Sequence, residues 1–269
     1  MTLTLNHGPL SAKPPDATNY RIGGPDHRLL FTDFPRRVRA LFGGEVVLDS
    51  RRGMQLHETG YLPQLYVPES DLRTDLLEST DRHTTCPFKG TAQYWSIRTS
   101  DRSDRVAENA VWGYDDPTEA ADWLRGYRCV EFEAMDAWFD EDEEIDGHLR
   151  DPYHRVDVRA SSRHVRVTAG DDVLAETERP MLLSETGLPN RYYIHPDDVR
   201  RDRLEPSATH TVCPYKGTAS YYSVRLGDRR IADAAFCYPA PLENAAKAAD
   251  HVCFLADGVR TEVDGERVD

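Results

Sequence analysis

The chain is 269 residues long, enough for two modules of modest size, and carries a formal net charge of -14. Apolar residues make up 39% and charged residues 30%, and the mean hydropathy is -0.64. This composition excludes a disordered chain, and no apolar run reaches the length of a membrane span. The charge argues against nucleic acid as a partner, because phosphate backbones are bound through Lys and Arg clusters that release counterions.

From the N-terminus, residues 1–35 read as a polar, Pro-containing arm without the basic and apolar regions of a signal peptide. A soluble, cytoplasmic protein is the expectation. RVRALFGGEVVLDS then alternates apolar residues across a Gly turn, the pattern of a β-hairpin. LPQLYVP reads as a short strand, and Glu69 to Leu76 as a short helix with acids in its first turn. TAQYWSIRT and RVAENAVWGY predict further strands, Thr118 to Arg125 a second short helix, and YRCVEFEAMDAWFDE a return to strand. The acidic run from Asp140 to Asp146 reads as a solvated face.

The same series then recurs. Displaced by 127 positions, Leu56 to Arg98 aligns with Leu183 to Arg225 without a gap, and 21 of these 43 positions are identical. The densest stretch reads HTTCPFKGTAQYWSIR in the first copy and HTVCPYKGTASYYSVR in the second, and ETG recurs at Glu58 and Glu185. A short insertion around Ser100 to Asp104 breaks the offset before the copies resume as RVAENAVWGYDDP and RIADAAFCYPAP. The expected organisation is an arm (1–35), a first β module (36–146), a linker (147–162) and a second β module (163–269). Each module is expected to be a mainly β, compact antiparallel fold with one or two short helices.

The C-P-[FY]-K-G-x-A-x-Y core, D-x-R-x-D-L-L-E and R-V-A-E-N-A-x-W-x-Y-x-D-P together resemble the bacterial and fungal family of domain of unknown function 427. The resemblance covers about four-fifths of the chain, and the tandem form is similar to actinobacterial members. It implies a compact, largely antiparallel β-structure, with a likeness to the β-tent group. The family carries a nucleotidyltransferase label, but the residues do not support it. There is no phosphate-cradling Gly loop with Lys and Ser or Thr, and no placed pair of metal-binding aspartates.

The CPxKG turn is the strongest functional candidate. Pro87 cannot donate a ladder hydrogen bond, Gly90 suits a positive-φ turn, and Lys89 is held beside it. Lys89, Tyr94, Arg98, Glu108, Asn109 and Trp112 are expected to gather as a polar pocket. Lys216, Tyr221 and Arg225 repeat it in the second module. The leading expectation is a small polar or anionic ligand at this pocket. An enzyme with Lys89 and Glu108 as acid–base partners is the alternative, and a protein-interaction module the third. Lys89 could instead pair with Asp71 or Asp75 and fix the turn.

Aligning Glu108-Asn109 with Asp233-Ala234, and Trp112 with Phe236, makes the first module the better place for an intact site. Cys86, Cys129, Cys213, Cys237 and Cys253 have no CxxC spacing and are expected to be free, mostly buried thiols rather than nucleophiles. Each copy repeats one His and one Cys in this core, too few for a structural zinc, so no metal and no cofactor is expected. The two modules are expected to pack against each other within the chain.

Overall fold

A computed structural model describes residues 3–16, 19, 23–99 and 105–268. The insertion at Ser100 to Asp104 lies outside the described residues. The chain divides into two compact units, one ending at Tyr153 and the other beginning at His154.

The first unit contains β1 (Leu29–Phe34), β2 (Val38–Phe42), β3 (Glu45–Ser50), β4 (Gly53–Glu58), β5 (Gln64–Pro68), β6 (Leu77–Cys86) and β7 (Gly90–Arg98). It continues with β8 (Val106–Gly113), β9 (Tyr127–Val130), β10 (Ala137–Asp140) and β11 (Glu143–Ile145). Seven strands form one antiparallel sheet in the order β1-β4-β5-β9-β8-β7-β6, and four form a second in the order β11-β10-β2-β3. The hairpin anticipated from RVRALFGGEVVLDS is β2–β3, whose alternating burial sends Val38, Ala40 and Phe42 inward. The first expected helix is two 3-10 turns, Glu69–Asp71 and Thr74–Leu76, and the second is a 3-10 segment, Glu119–Leu124, kinked at Ala121.

Because successive residues of a strand face opposite sides, the large sheet has two distinct apolar faces. Leu65, Val67, Ile97, Val111 and Val130 meet Val38, Ala40, Phe42 and Leu48 of the small sheet in the main core. Each such buried aliphatic side chain contributes about 1.5–3 kcal/mol. The opposite face carries Leu56, Tyr66, Ala92, Tyr114 and Cys129, packed with Ala121 and Leu124 of the 119–124 turn.

The second unit repeats this order. Its strands are β12 (Val156–Ala160), β13 (Val165–Ala169), β14 (Asp172–Thr177), β15 (Met181–Glu185), β16 (Arg191–Tyr193) and β17 (Leu204–Cys213). They are followed by β18 (Gly217–Leu226), β19 (Arg229–Cys237), β20 (Cys253–Phe254), β21 (Arg260–Val263) and β22 (Glu266–Arg267). β12-β15-β16 and β17-β18-β19-β20 are joined by the antiparallel bridge Ile194↔Val252, which reproduces the order of the first large sheet. The hairpin β13–β14 extends through β21 and β22 as its small sheet.

Both modules begin earlier than the sequence suggests. β1 lies within the expected arm, yet pairs along its whole length with β4, Leu29 opposite Glu58. β12 lies within the expected linker, yet pairs in the same register with β15, Val156 opposite Glu185. A polar, Pro-bearing flank hides a strand whose paired residues lie up to 29 positions away, as Leu29 and Glu58 do. Part of the arm is also packed: Thr4 and Ser11 are buried, and Gly60 N donates to Thr4 O.

Candidate functional site

The CPFKG segment is the tip of the β6–β7 hairpin, where Cys86 pairs with Gly90. Gly90 has φ +105, and a Cβ there would stand 3.0 Å from the Asp116 carbonyl oxygen. Gly217 repeats this with φ +98 and 3.2 Å to the Ala240 oxygen. Only glycine fits both the left-handed backbone and the close approach. The loop is tied down further, as Thr118 N donates to Lys89 O and Thr118 Oγ1 to Phe88 O.

This anchored tip aims Lys89 at the end of β4. Its ammonium donates to Glu58 Oε2, while His27 Nε2 donates to Glu58 Oε1 over 2.8 Å. The second module holds the same trio: Lys216 Nζ donates to Glu185 Oε2 over 2.5 Å and His154 Nε2 to Glu185 Oε1 over 2.9 Å. In both copies His to Glu and Glu to Lys are 31 residues apart. Side-chain exposure is 12% for Lys89 and 10% for Glu58, against 13% for Lys216 and 9% for Glu185. The histidines differ, at 22% for His27 and 2% for His154.

The ETG motif has a function for each of its letters. Glu58 receives Lys89 and His27, Thr59 Oγ1 accepts from Arg28 N beside that histidine, and Gly60 turns the chain at φ +88. In the second copy Thr186 Oγ1 accepts from Arg155 N over 3.0 Å. The imidazoles lie against the aromatic of the tip. His27 stacks on Phe88 at 3.9 Å between centroids, and His154 lies 4.3 Å from Tyr215.

Phenols and thiols line the neighbouring face. Burial, outweighing the hydrogen bond from Trp112 Nε1, pushes the Tyr66 hydroxyl well above its usual range. It also raises Tyr114, Tyr193 and Tyr238. Cys129 is raised in the same way, and Cys253 is pushed to about 12. These thiols are protonated and unreactive at neutral pH. Burial alone would raise the Glu185 carboxyl, but the hydrogen bonds from His154 and Lys216 prevail and hold it at about 2.

The cross-strand registers Tyr66↔Cys129, Cys129↔Trp112 and Trp112↔Tyr94 set these side chains in one row. Phe236↔Cys253 and Tyr221↔Phe236 repeat the row. Tyr94 and Trp112 remain half-buried, as do Tyr221 and Phe236. Thr84 Oγ1 meets the Tyr94 hydroxyl at 2.9 Å, and Thr211 Oγ1 meets that of Tyr221 at 3.0 Å.

Of the residues expected to gather, Lys89, Tyr94 and Trp112 therefore share a face, as do Lys216 and Tyr221. Arg98 and Arg225 do not join them. They sit at the far end of the hairpin, paired with Glu78 and Glu205. Glu108 accepts from Ser96 Oγ, about 20 Å along the strands from Lys89, and is not its acid–base partner. Lys89 is also not held by Asp71 or Asp75, which belong to Arg52 and Arg73.

Asn109 is a bulge residue with φ 54. Its backbone N donates to Ser96 Oγ, and its side chain accepts from Thr80 Oγ1. Asp233, with φ 49, does the same with Ser223 and Thr209. The pairings Arg98↔Val106 and Arg225↔Arg230 fix Asn109 opposite Asp233 in the repeat, and Glu108 opposite Ala232. The asymmetry read from Glu108-Asn109 against Asp233-Ala234 was one residue out of step. Both modules keep the bulge and the Lys–Glu–His trio.

The model of a domain of unknown function, DUF427, matches residues 30–141 and 157–268. The chain belongs to this family. Both matched segments start at or beside β1 and β12, so the DUF427 unit includes the strand that precedes the β2–β3 or β13–β14 hairpin. No curated protein matches the chain. Among the described residues of this DUF427 tandem, no cluster of three His, Cys, Asp or Glu side chains is arranged to hold a metal ion. No helix among them is long and apolar enough to cross a membrane.

His27 and Glu58 are the site residues that the sequence reading missed. A signal existed: His27-Arg28 and His154-Arg155 keep the offset of 127 that aligns the cores. Only scattered identities surround it, such as Pro25 with Pro152, and the polar flank concealed it.

Proposed function

We infer that each module binds a small, uncharged polar molecule, with the Lys–Glu–His trio as its anchor and the Tyr94–Trp112 or Tyr221–Phe236 pair as its wall. The observation that carries this reading is the recurrence of the whole trio, contact for contact, in two copies that differ at about half of their aligned core positions. Burying a carboxylate and an ammonium is costly, and apolar side chains of similar volume hold a fold equally well. Charged groups kept in a mostly apolar setting are characteristic of ligand sites.

The charge balance selects the ligand. An anion drawn to Lys89 would have to displace Glu58 and leave its carboxylate buried without a partner, and a cation would do the same to Lys89. A neutral group that both donates and accepts, such as an amide or a hydroxyl, adds hydrogen bonds without breaking the pair. General-base catalysis is less well supported, because a carboxyl held at about 2, as in Glu185, is a poor proton acceptor at neutral pH. The five free cysteines fit a reducing compartment such as the cytoplasm.

The test is a thermal-shift screen of neutral metabolites against the wild type, the Lys89→Met/Lys216→Met pair and the wall variant Tyr94→Ala/Tyr221→Ala. Compounds that shift the wild type and neither variant support the reading. An equal shift in all three, or no shift from any compound, refutes it.

A further inference from the structure

The two anchors are alike, but the surface beside them is not. In the first module Phe31 of β1 lies one pleat from the Leu29–Glu58 pair, and its ring meets Trp123 at 4.7 Å, Tyr127 at 5.3 Å and Tyr66 at 6.1 Å. Trp123 is exposed, and Tyr127 stands opposite Pro68. Phe31, Trp123, Tyr127 and Pro68 themselves carry no charge.

The equivalent backbone in the second module carries different chemistry. Val158 replaces Phe31 on the strand that pairs with β15, with Leu183 opposite in place of Leu56. The turn Glu243–Ala248 matches Glu119–Leu124 residue for residue, which puts Lys247 where Trp123 stands. The pairing Ile194↔Val252 matches Val67↔Arg128, so His195 and His251 occupy the places of Pro68 and Tyr127. Their rings lie 5.3 Å apart, edge to face. Three apolar positions have thus become one lysine and two histidines on a single margin.

We propose that the second module carries an anion-binding rim, formed by Lys247, His195 and His251, which recruits ligands bearing a carboxylate or phosphate group beside the neutral anchor. Lys247 makes no ion pair among the described residues. His195 Nδ1 accepts from Asp197 N over 3.3 Å. His251 meets the Ala249 carbonyl through Nδ1 at 2.8 Å. Three carboxylates are near, and that of Asp198, which acts on His195, is held by Arg179 and Thr177. Asp197 Oδ2 stands 3.4 Å from His195 Nδ1, on the side of the ring away from Nε2. The charge of Asp250 acts on Tyr222 and Cys237, whose side chains face the other side of the sheet. The proposal rests on the ligand reading above for the anchor, while the rim has its own chemistry.

The experiment is an NMR titration of the full chain, following the histidine ring signals, with inorganic phosphate as one probe and propionamide as the other. Phosphate is expected to give saturable shifts at His195 and His251 and none at His27. Lys247→Ala should weaken that response about three- to fivefold, and Lys247→Trp should do the same while restoring the volume found in the first module. Absence of a saturable response, or an unchanged one in both variants, overturns the proposal. Propionamide separates it from the anchor reading. A response to the amide at His27 and His154 with none to phosphate defeats the rim alone, and the converse defeats the neutral anchor alone.

Discussion

Glu58 and Glu185 each satisfy two donors, so removing one donor strands a charge rather than deleting a contact. Lys89→Met is expected to cost the first module about 3–5 kcal/mol, and the added change Glu58→Gln to recover much of it. Urea unfolding of both variants checks this, and an unrecovered double variant would show that packing of the lysine stem dominates. The pH dependence follows from Glu185. Its folded value, about 2, lies below the ordinary 4.5. The native state therefore binds fewer protons than the unfolded chain in that window. The stabilisation is complete above the unfolded value and is lost as pH falls from about 4.5 toward 2, amounting to about 3 kcal/mol. Glu185→Gln should flatten this part of the second module's acid unfolding curve. Thiol reactivity is also a property of single residues. Cys129, Cys237 and Cys253 are buried with raised thiols, whereas Cys86 and Cys213 are partly exposed at the hairpin tips. A chromogenic disulfide reagent should therefore label Cys86 and Cys213 first, and the other three only on unfolding.

At the level of the hairpin, two backbone devices keep the trio in place. The tip glycine combines positive φ with a carbonyl at 3.0 Å in the first copy and 3.2 Å in the second. Gly90→Ala is accordingly expected to destabilise by about 1–3 kcal/mol and to loosen Lys89 from Glu58. The other device is the bulge at Asn109 and Asp233, which re-aims the strand and is held by a hydroxyl on each side. Asn and Asp tolerate left-handed backbone and offer the same acceptor, so Asp233→Asn should change stability by less than about 0.5 kcal/mol. A β-branched residue there, as in Asp233→Val, should be strongly destabilising. Differential scanning fluorimetry on the three variants separates these outcomes. The CPxKG pattern announced a special turn, but nothing local indicated that its lysine would meet the end of β4. That contact depends on two strands brought together across a seven-stranded sheet.

For the whole molecule, the consequence lies in where each module begins. Each unit has its own seven-stranded sheet, small sheet and core, so residues 1–153 and 154–269 should each unfold cooperatively when expressed alone. A fragment of 163–269, cut where the composition changes, lacks β12 and His154. It leaves one edge of β15 unpaired and Glu185 with a single donor, and is expected to aggregate or unfold far more readily. Circular dichroism melts of the three fragments decide the matter.

The duplication, the β-rich character and the succession of hairpins are legible in the amino acids alone, because alternation of apolar residues and turn glycines are local and repeat at a fixed offset. So is the prominence of Lys89 and Lys216, since an anchored glycine turn leaves a local trace. The partners of those lysines, the inclusion of β1 and β12, and the equivalence of Asn109 with Asp233 emerge from the folded chain. Each of these is a cross-strand relation between residues tens of positions apart, set by register rather than by neighbouring sequence. The duplicated module is therefore sharper than its pattern suggested: two intact Lys–Glu–His trios, distinguished by the residues at their margins.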